Sequence, residues 1–263
     1  MVPRKTFPFL FKPFFLVLGR RMILSVVSAK GGVGKTTITA NLGILLNRRG
    51  IKVVLVDGDL ASGDLTLQLG GKPGTRSLHT LLQSERVSEE DVIKALSTTY
   101  GIPLLPVIPS LRGYLKAKLD LFPSVLSHLK DQYDLVLVDT PPGVNKNSIV
   151  PLTESDKVLL VTTPDPIAVS DVSTSRDVAV LLEKNVMGVV INRFRKGFLF
   201  SPKQLKPRQI ENILKLRGMG VIPEDKAVEE SILAKKPVVL YKPRSSASKA
   251  FLSLARRVTE ELS

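Results

Sequence analysis

Short runs of apolar and β-branched residues recur along the chain, and stretches with helical spacing separate them. Five of these runs have the composition of buried strands and lie at residues 23–27, 52–59, 135–139, 157–164 and 188–193. Apolar runs without alternation are typical of parallel strands that are covered on both faces. Because helical segments follow strands from Ile23 onward, the pattern predicts an α/β fold with a mainly parallel sheet and helices on both faces.

Helical spacing of apolar positions predicts the elements that cover this sheet. Helices are expected at 37–47, 65–69, 78–82, 92–96, 121–130 and 167–183. In a final helix one apolar stripe favours core packing over a membrane face and consists of Phe251, Leu254, Ala255, Val258 and Leu262. A further strand is expected at 104–109, where two prolines limit its pairing with neighbours.

The segment between the first strand and the first helix is rich in glycine. Residues 28–37 read Ser-Ala-Lys-Gly-Gly-Val-Gly-Lys-Thr-Thr and fit the phosphate-loop pattern G-x-x-x-x-G-K-[ST] if Ala29 replaces the first glycine. A strand, a glycine loop and a helix start together form an anion site, because backbone N–H groups and the helix dipole point at the ligand. Lys35 would add positive charge there, and the Thr36 hydroxyl would bind Mg²⁺.

Two of the predicted strands deliver carboxylates. Asp57 and Asp59 end the second strand, and Asp139 ends the strand at 135–139. Ligands of open parallel sheets lie beyond the carboxyl ends of the strands, so these side chains are expected beside the glycine loop. Asp139 is then placed to bind a water on Mg²⁺ near Thr36. Of the other two carboxylates, one can hold metal-bound water and the other can orient an attacking water.

Four motifs in order resemble those of the MinD/ParA family of P-loop ATPases. Residues 30–36 resemble its deviant Walker A motif K-G-G-x-G-K-[ST], and residues 57–65 resemble its switch I, D-x-D followed by [ND]-L. Residues 139–143 resemble switch II, D-x-P-x-G, and residues 221–225 resemble the segment V-I-P-E-D. The resemblance covers roughly residues 22–262, nearly the whole chain.

This resemblance implies a SIMIBI-type P-loop NTPase that hydrolyses ATP with Mg²⁺. The residues expected to bind the nucleotide are Lys30, Gly31, Gly32, Val33, Gly34, Lys35, Thr36, Thr37, Asn192, Pro223 and Glu224. Asn192 would hydrogen-bond the adenine, and the backbone of Pro223 and Glu224 would flank it.

The resemblance also assigns the metal site and the chemistry. The metal residues would be Thr36, Asp57 and Asp139, and the catalytic residues Lys30, Lys35 and Asp59. Lys30 would reach the phosphates of a partner subunit in an ATP-dependent homodimer, although the sequence alone is equally consistent with a solvated surface lysine. Asp64 stands where many members of the family have asparagine, and its role stays open.

Composition excludes some functions and leaves others open. There is no cysteine, which excludes disulfides, thiolate catalysis and the iron–sulfur relatives of this superfamily. His79 and His128 stand apart without the spacing of metal ligands. The net charge of +14 is concentrated at the ends, with five basic and no acidic residues in 1–21 and 15 basic and seven acidic in 194–263. Basic chain ends of this kind indicate an anionic membrane surface or non-specific DNA as a partner. A general role of these charges in keeping the protein soluble explains them equally well.

The first 21 residues differ from the rest of the chain. Residues 7–18 contain five of the ten phenylalanines, and prolines and a lysine interrupt them. This run is too short to span a bilayer and lacks the cleavage site of a secretory signal. We expect an N-terminal extension at 1–21, disordered or an over-extended start, followed by the ATPase domain at 22–263. The alternative is a basic, aromatic tail that lies in a membrane interface.

The preferred hypothesis is a MinD-like positioning ATPase that dimerises with ATP and acts in cell division or spatial organisation. Such a protein would be cytoplasmic and peripheral at the inner face of the membrane. The alternative is a ParA-type DNA-binding partition ATPase. A P-loop metabolic ligase or kinase would share the fold but gives no reason for Lys30. The motifs do not identify a protein cargo.

Overall fold

The computed structural model describes residues 19–71, 74, 76–195, 197 and 204–263. Within them one sheet has eight strands in the order β3-β4-β2-β5-β1-β6-β7-β8. The strands are β1 Met22–Val27, β2 Val53–Asp57, β3 Ser97–Thr99, β4 Ile102–Leu105, β5 Leu135–Asp139, β6 Lys157–Thr162, β7 Asn185–Phe194 and β8 Gly218–Pro223. Every neighbouring pair is parallel except β3 and β4, which confirms the predicted α/β fold.

Helices cover both faces of this sheet. Their bounds are α1 Lys35–Arg48, α2 Asp64–Gln68, α3 Leu78–Leu81, α4 Glu89–Ala95, α5 Leu111–Lys116, α6 Phe122–Gln132, α7 Lys146–Thr153, α8 Pro166–Leu181, α9 Pro207–Leu214, α10 Lys226–Leu233, α11 Val238–Tyr241 and α12 Ser246–Leu262. A single 3₁₀ turn, Leu119–Leu121, precedes α6. In this described part of the chain no helix is long and apolar enough to cross a bilayer.

Continuous apolar strands arise because both faces of the sheet are buried. In β2, Val53 and Leu55 pack into the cluster that contains α1 and α12, whereas Val54 and Val56 pack into the cluster that contains α6. Successive side chains of a strand point to opposite faces, so every position needs an apolar residue. The stripe on α12 is buried in the first of these clusters, which confirms the prediction that it packs on the core.

The strand predicted at 104–109 was misplaced. The structure has β4 at Ile102–Leu105 and ends it before Pro106, a residue that has no N–H to donate to a neighbouring strand. Pro103 is tolerated within β4, where it lies opposite Thr98 of β3. Five helices, α5, α7, α9, α10 and α11, were not predicted. The phenylalanine-rich run at 7–18 lies outside the described residues.

Candidate functional site

The glycine-rich loop connects β1 to α1 at the carboxyl edge of the sheet. Gly32 and Gly34 adopt left-handed backbone angles, with φ of 78° and 96°, which glycine adopts without steric cost. The Ser28 hydroxyl donates to the Lys30 carbonyl over 2.9 Å and closes the turn. Helix α1 begins at Lys35 without a side-chain cap. The first N–H groups of such a helix have no intrahelical partner and suit an anion.

Lys35 is a buried cation at the base of this loop. Only 7% of the residue is exposed, and burial lowers the pKa of its amine. The charges of Asp139, Asp59 and Asp64 act in the opposite direction. An anionic ligand at the helix start would compensate this buried charge as well.

Asp139 lies directly beside the loop, as predicted. It is the register partner of Val26 in β1 and of Asp57 in β2. The Thr36 hydroxyl donates to Oδ2 over 2.7 Å, and the Thr39 hydroxyl donates to Oδ1 over 3.2 Å. Burial raises the pKa of this carboxyl to about 6, although Lys35 and the two threonines oppose the shift.

Asp57 is the second buried carboxyl of the site. Its Oδ2 accepts hydrogen bonds from the Thr66 N–H over 2.8 Å and from the Thr66 hydroxyl over 2.6 Å. Oδ1 is buried and has no hydrogen-bond partner among the described residues. Burial raises the pKa of Asp57 to about 8; the bonds from Thr66 oppose this, and the neighbouring Asp139 and Asp59 add to it.

These oxygen atoms fit a hard divalent cation. Thr36, Asp57 and Asp139 offer hydroxyl and carboxylate oxygens, the ligands that Mg²⁺ prefers, and the buried Oδ1 of Asp57 has no hydrogen-bond partner among the described residues. Across the described ranges, no group of three or more His, Cys, Asp or Glu side chains could hold a metal. Mg²⁺ commonly binds through one or two carboxylates together with phosphate oxygens and water, which matches this donor set.

Asp59 and Asp64 lie at the rim of the site. Asp59 is partly exposed, and its Oδ1 accepts hydrogen bonds from the backbone N–H groups of Ala61 and Ser62 over 3.1 and 3.3 Å. Asp64 is exposed at the first position of α2. Both carboxylates lie near enough to Lys35 to influence its pKa.

Lys30 occupies the outer side of the loop and is exposed. Burial acts to raise the pKa of Asp165, but hydrogen bonds involving Thr163 and Ala168 and the charge of Lys30 lower it. The Lys30 charge therefore acts on Asp165, the residue that precedes α8. Its predicted contact with a partner subunit stays a prediction.

The residues predicted to contact the base are held in two places. Asn192 is buried, and its Nδ2 donates to the Val33 carbonyl over 2.8 Å, so β7 is attached to the glycine loop. Pro223 and Glu224 instead line a cavity of about 860 Å³, which Asn192 does not line. In this cavity Glu224 forms an ion pair with Arg195, which lowers the pKa of Glu224.

Three polar side chains of the site escaped the sequence analysis. Thr39 binds Asp139, Thr66 binds Asp57, and the Gln68 amide donates to the Thr37 hydroxyl over 3.0 Å. Thr39 could have been found, because it lies three residues after Thr36 on the same side of α1. Nothing in the sequence pattern singles out Thr66 or Gln68, since only the fold brings α2 back to the loop.

Comparison with known proteins identifies the family. A family model described as ParA, NUBPL iron-transfer P-loop NTPase, matches residues 20–259. An ATP-binding protein of Methanocaldococcus jannaschii is 36% identical over 234 residues, which cover 89% of this chain and 86% of the relative.

Two solved structures extend this likeness to the fold. The cell division ATPase MinD of Pyrococcus furiosus superposes with a TM-score of 0.84 at 35% identity and covers 92% of this chain and 100% of its own. The septum site-determining protein MinD of Pyrococcus horikoshii, solved with Mg-ADP, gives 0.82 at 32% identity, covering 90% and 95%. The chain belongs to the MinD/ParA family of P-loop ATPases.

Proposed function

We propose that this chain is a Mg²⁺-dependent, MinD-like ATPase that forms a homodimer when ATP is bound. The observation that carries the proposal is the packing of the buried Lys35 amine beside the Thr36–Asp139 hydrogen bond, at the start of an uncapped helix. This arrangement joins a cation, N–H donors and oxygen ligands at one point, as a triphosphate with its metal requires.

Each group then has a distinct task in the reaction. Gly31, Gly32, Val33, Gly34 and Thr37 line the phosphates, and Lys35 holds the β- and γ-phosphates. Mg²⁺, held by Thr36, Asp57 and Asp139, would neutralise charge on the transferred phosphoryl group. Two backbone N–H groups hold Oδ1 of Asp59, and we assign Oδ2 to orient the attacking water.

The base is assigned to the far end of the loop. Because Nδ2 of Asn192 is bonded to Val33, the amide oxygen is the group that would accept a hydrogen bond from the adenine amine. Pro223 and Glu224 border the adjoining cavity. The same amide of Asn192 would therefore contact the base and hold the hydrogen bond that attaches β7 to the loop.

A second subunit would complete the site. Lys30 is exposed on the outer side of the loop, where its amine is free to approach the phosphates of a facing copy. A facing copy would exclude water and add positive charge, as an arginine finger does. The contact would be self-complementary about a two-fold axis.

Light scattering with and without ATP tests this proposal. Asp59→Ala should retain ATP and accumulate as a dimer, because the phosphate loop is intact while the water is no longer oriented. Lys30→Ala should weaken the dimer and slow turnover but reduce ATP binding less than Lys35→Ala does. A wild-type protein that stays monomeric when saturated with ATP would exclude the two-subunit mechanism.

For the cellular role we favour spatial positioning in cell division, with the protein cytoplasmic and peripheral at the inner face of the membrane. The basic residues of 194–263, 15 against seven acidic, support the second candidate, a ParA-type ATPase that binds DNA. Co-sedimentation with anionic vesicles and with DNA, each with ATP across a salt series, separates the two. DNA binding should weaken steeply with salt.

A further inference from the structure

Thr66 connects the candidate metal site to the segment that follows β4. It is 3% exposed and lies on α2, after the loop that carries Asp59. Its hydroxyl donates to Oδ2 of Asp57 over 2.6 Å and accepts from the Val107 N–H over 3.1 Å. Its own N–H donates to the same Oδ2 over 2.8 Å. Within the part of the chain that the structure describes, Asp57 is thus hydrogen-bonded through one oxygen only.

The other oxygen of Asp57 is the one without a partner. Oδ1 is buried and makes no hydrogen bond with the described residues, and Asp57 lies opposite Asp139 on the next strand. A carboxylate whose one oxygen is anchored cannot rotate freely, so its second oxygen keeps a fixed direction. The ligands of a metal site are commonly oriented by partners of this kind.

We propose that Thr66 is a positioning residue that orients Asp57 toward the water shell of the nucleotide-bound Mg²⁺. This inference rests on the proposed function, in which Asp57 belongs to the metal site. A hydroxyl suits this position because its single oxygen donates to the carboxylate and accepts from a backbone N–H at the same time. Thr66 fixes the direction of the carboxylate and does not itself touch nucleotide or metal.

A second contact keeps α2 in place for this task. The Gln68 amide donates to the Thr37 hydroxyl at the start of α1 over 3.0 Å. Helix α2 is therefore attached to the nucleotide site on one side through Thr37 and on the other through Asp57. The anchor by Thr66 should persist when the loop around Asp59 changes its conformation, because neither contact involves that loop.

Mg²⁺ titrations of the full-length protein with a fluorescent ATP analogue test the inference. Thr66→Val keeps the size of the side chain and removes the hydroxyl. The Mg²⁺ concentration that gives half of the fluorescence change, the Mg²⁺ midpoint, should therefore rise at least about tenfold. Binding of the analogue in EDTA should stay within about twofold of wild type. Thr66→Ser restores the hydroxyl and should return the midpoint to the wild-type value.

A matched control separates this effect from general destabilisation. Thr99 is also buried, and its hydroxyl donates to the Leu69 carbonyl over 2.9 Å, away from the candidate metal site. Thr99→Val should lower the melting temperature to a similar degree without moving the Mg²⁺ midpoint. If Thr66→Val does not fold, Thr66→Ala removes the same hydroxyl and should show the same shift.

Variants that carry Asp57→Asn show whether a failed test contradicts the role of Thr66 or the proposed metal site itself. Asp57→Asn alone should raise the Mg²⁺ midpoint, and adding Thr66→Val to it should change the midpoint by less than about threefold, because both act on one group. If Asp57→Asn leaves the midpoint unchanged, the metal assignment of the proposed function is wrong. If Asp57→Asn raises it but Thr66→Val does not, only the role given to Thr66 is overturned.

Discussion

Asp57 and Asp139 are two carboxyl groups buried side by side at the ends of neighbouring strands. Burial raises the pKa of both, to about 8 and about 6, and lowers the pKa of the adjacent Lys35 amine. Each shift has the same cause, because burial disfavours the charged form of the side chain. In the proposed function, a triphosphate with Mg²⁺ would supply counter-charges of both signs to these side chains.

The raised pKa values predict how the stability of the nucleotide-free protein depends on pH. Because Asp57 keeps its proton in the folded protein up to about pH 8, whereas an unperturbed aspartate has a pKa of 3.8, the folded state holds more protons between these values. The free energy of unfolding should therefore decrease as the pH rises from about 4 to about 8. Asp139 adds to this decrease only up to about pH 6.

Asp57→Asn tests this prediction, since an amide cannot ionise. Without Mg²⁺ or nucleotide, the variant should melt at a higher temperature than wild type at pH 8, and the difference should vanish near pH 4. Thermal unfolding followed by circular dichroism at several pH values provides the measurement. Parallel pH dependences in the two proteins would mean that Asp57 is already ionised in the folded state.

Between elements, a hydrogen bond attaches the glycine loop to β7. Gly34 precedes α1, and any side chain added there would collide with the amide of Asn192, which itself bonds the Val33 carbonyl. The backbone of Gly34 is also left-handed, with φ of 96°. The loop, α1 and β7 consequently require glycine at this position for two independent reasons.

Gly34→Ala should therefore lower the melting temperature and displace Asn192 from Val33. We expect a loss of about 1–3 kcal/mol, the usual cost of a strained backbone position, and weaker ATP binding. Gly31→Ala is the matched variant for stability, because its added methyl group would meet only Cγ of Pro142 at 4.0 Å. Equal melting temperatures for the two variants would contradict the close packing of Gly34 on β7.

At the scale of the whole molecule, the core of the described residues begins at Met22. Strand β1 begins at that residue, and it pairs with β5 and β6 in the middle of the sheet. The preceding residue, Arg21, is exposed and bonds the Asp131 carbonyl at the surface. Surface contacts of this kind contribute little to stability.

Removal of residues 1–21 should therefore leave folding and ATP binding intact. The shortened chain should melt within a few degrees of the full chain and bind the fluorescent ATP analogue with unchanged affinity. Arg21→Ala in the full chain is the control, because it removes only the hydrogen bond from Arg21 to the Asp131 carbonyl. A large fall in melting temperature on deletion, absent in Arg21→Ala, would show that the phenylalanine-rich run packs on the ATPase domain.

The sequence by itself determined five of the parallel strands, seven of the twelve described helices and the glycine-rich loop between β1 and α1. These features are local: an apolar run such as 135–138 is typical of a buried strand, and Lys35 and Thr36 follow the glycines at the start of a helix. The carboxylates at positions 57 and 139 could be placed at one edge because parallel strands end on the same side. The pattern of apolar residues and the topology of parallel sheets were therefore enough to place the loop and its neighbouring carboxylates in one candidate site.

Only the tertiary structure decided which side chains complete that outline. Strand β3 is three residues long and polar, and it exists through its antiparallel pairing with β4. The bonds of Asp57 with Thr66 and of Asn192 with Val33 join residues 9 and 159 positions apart. Such contacts depend on how packed elements return to the same point in space, and the period of apolar residues along a chain carries no information about that return.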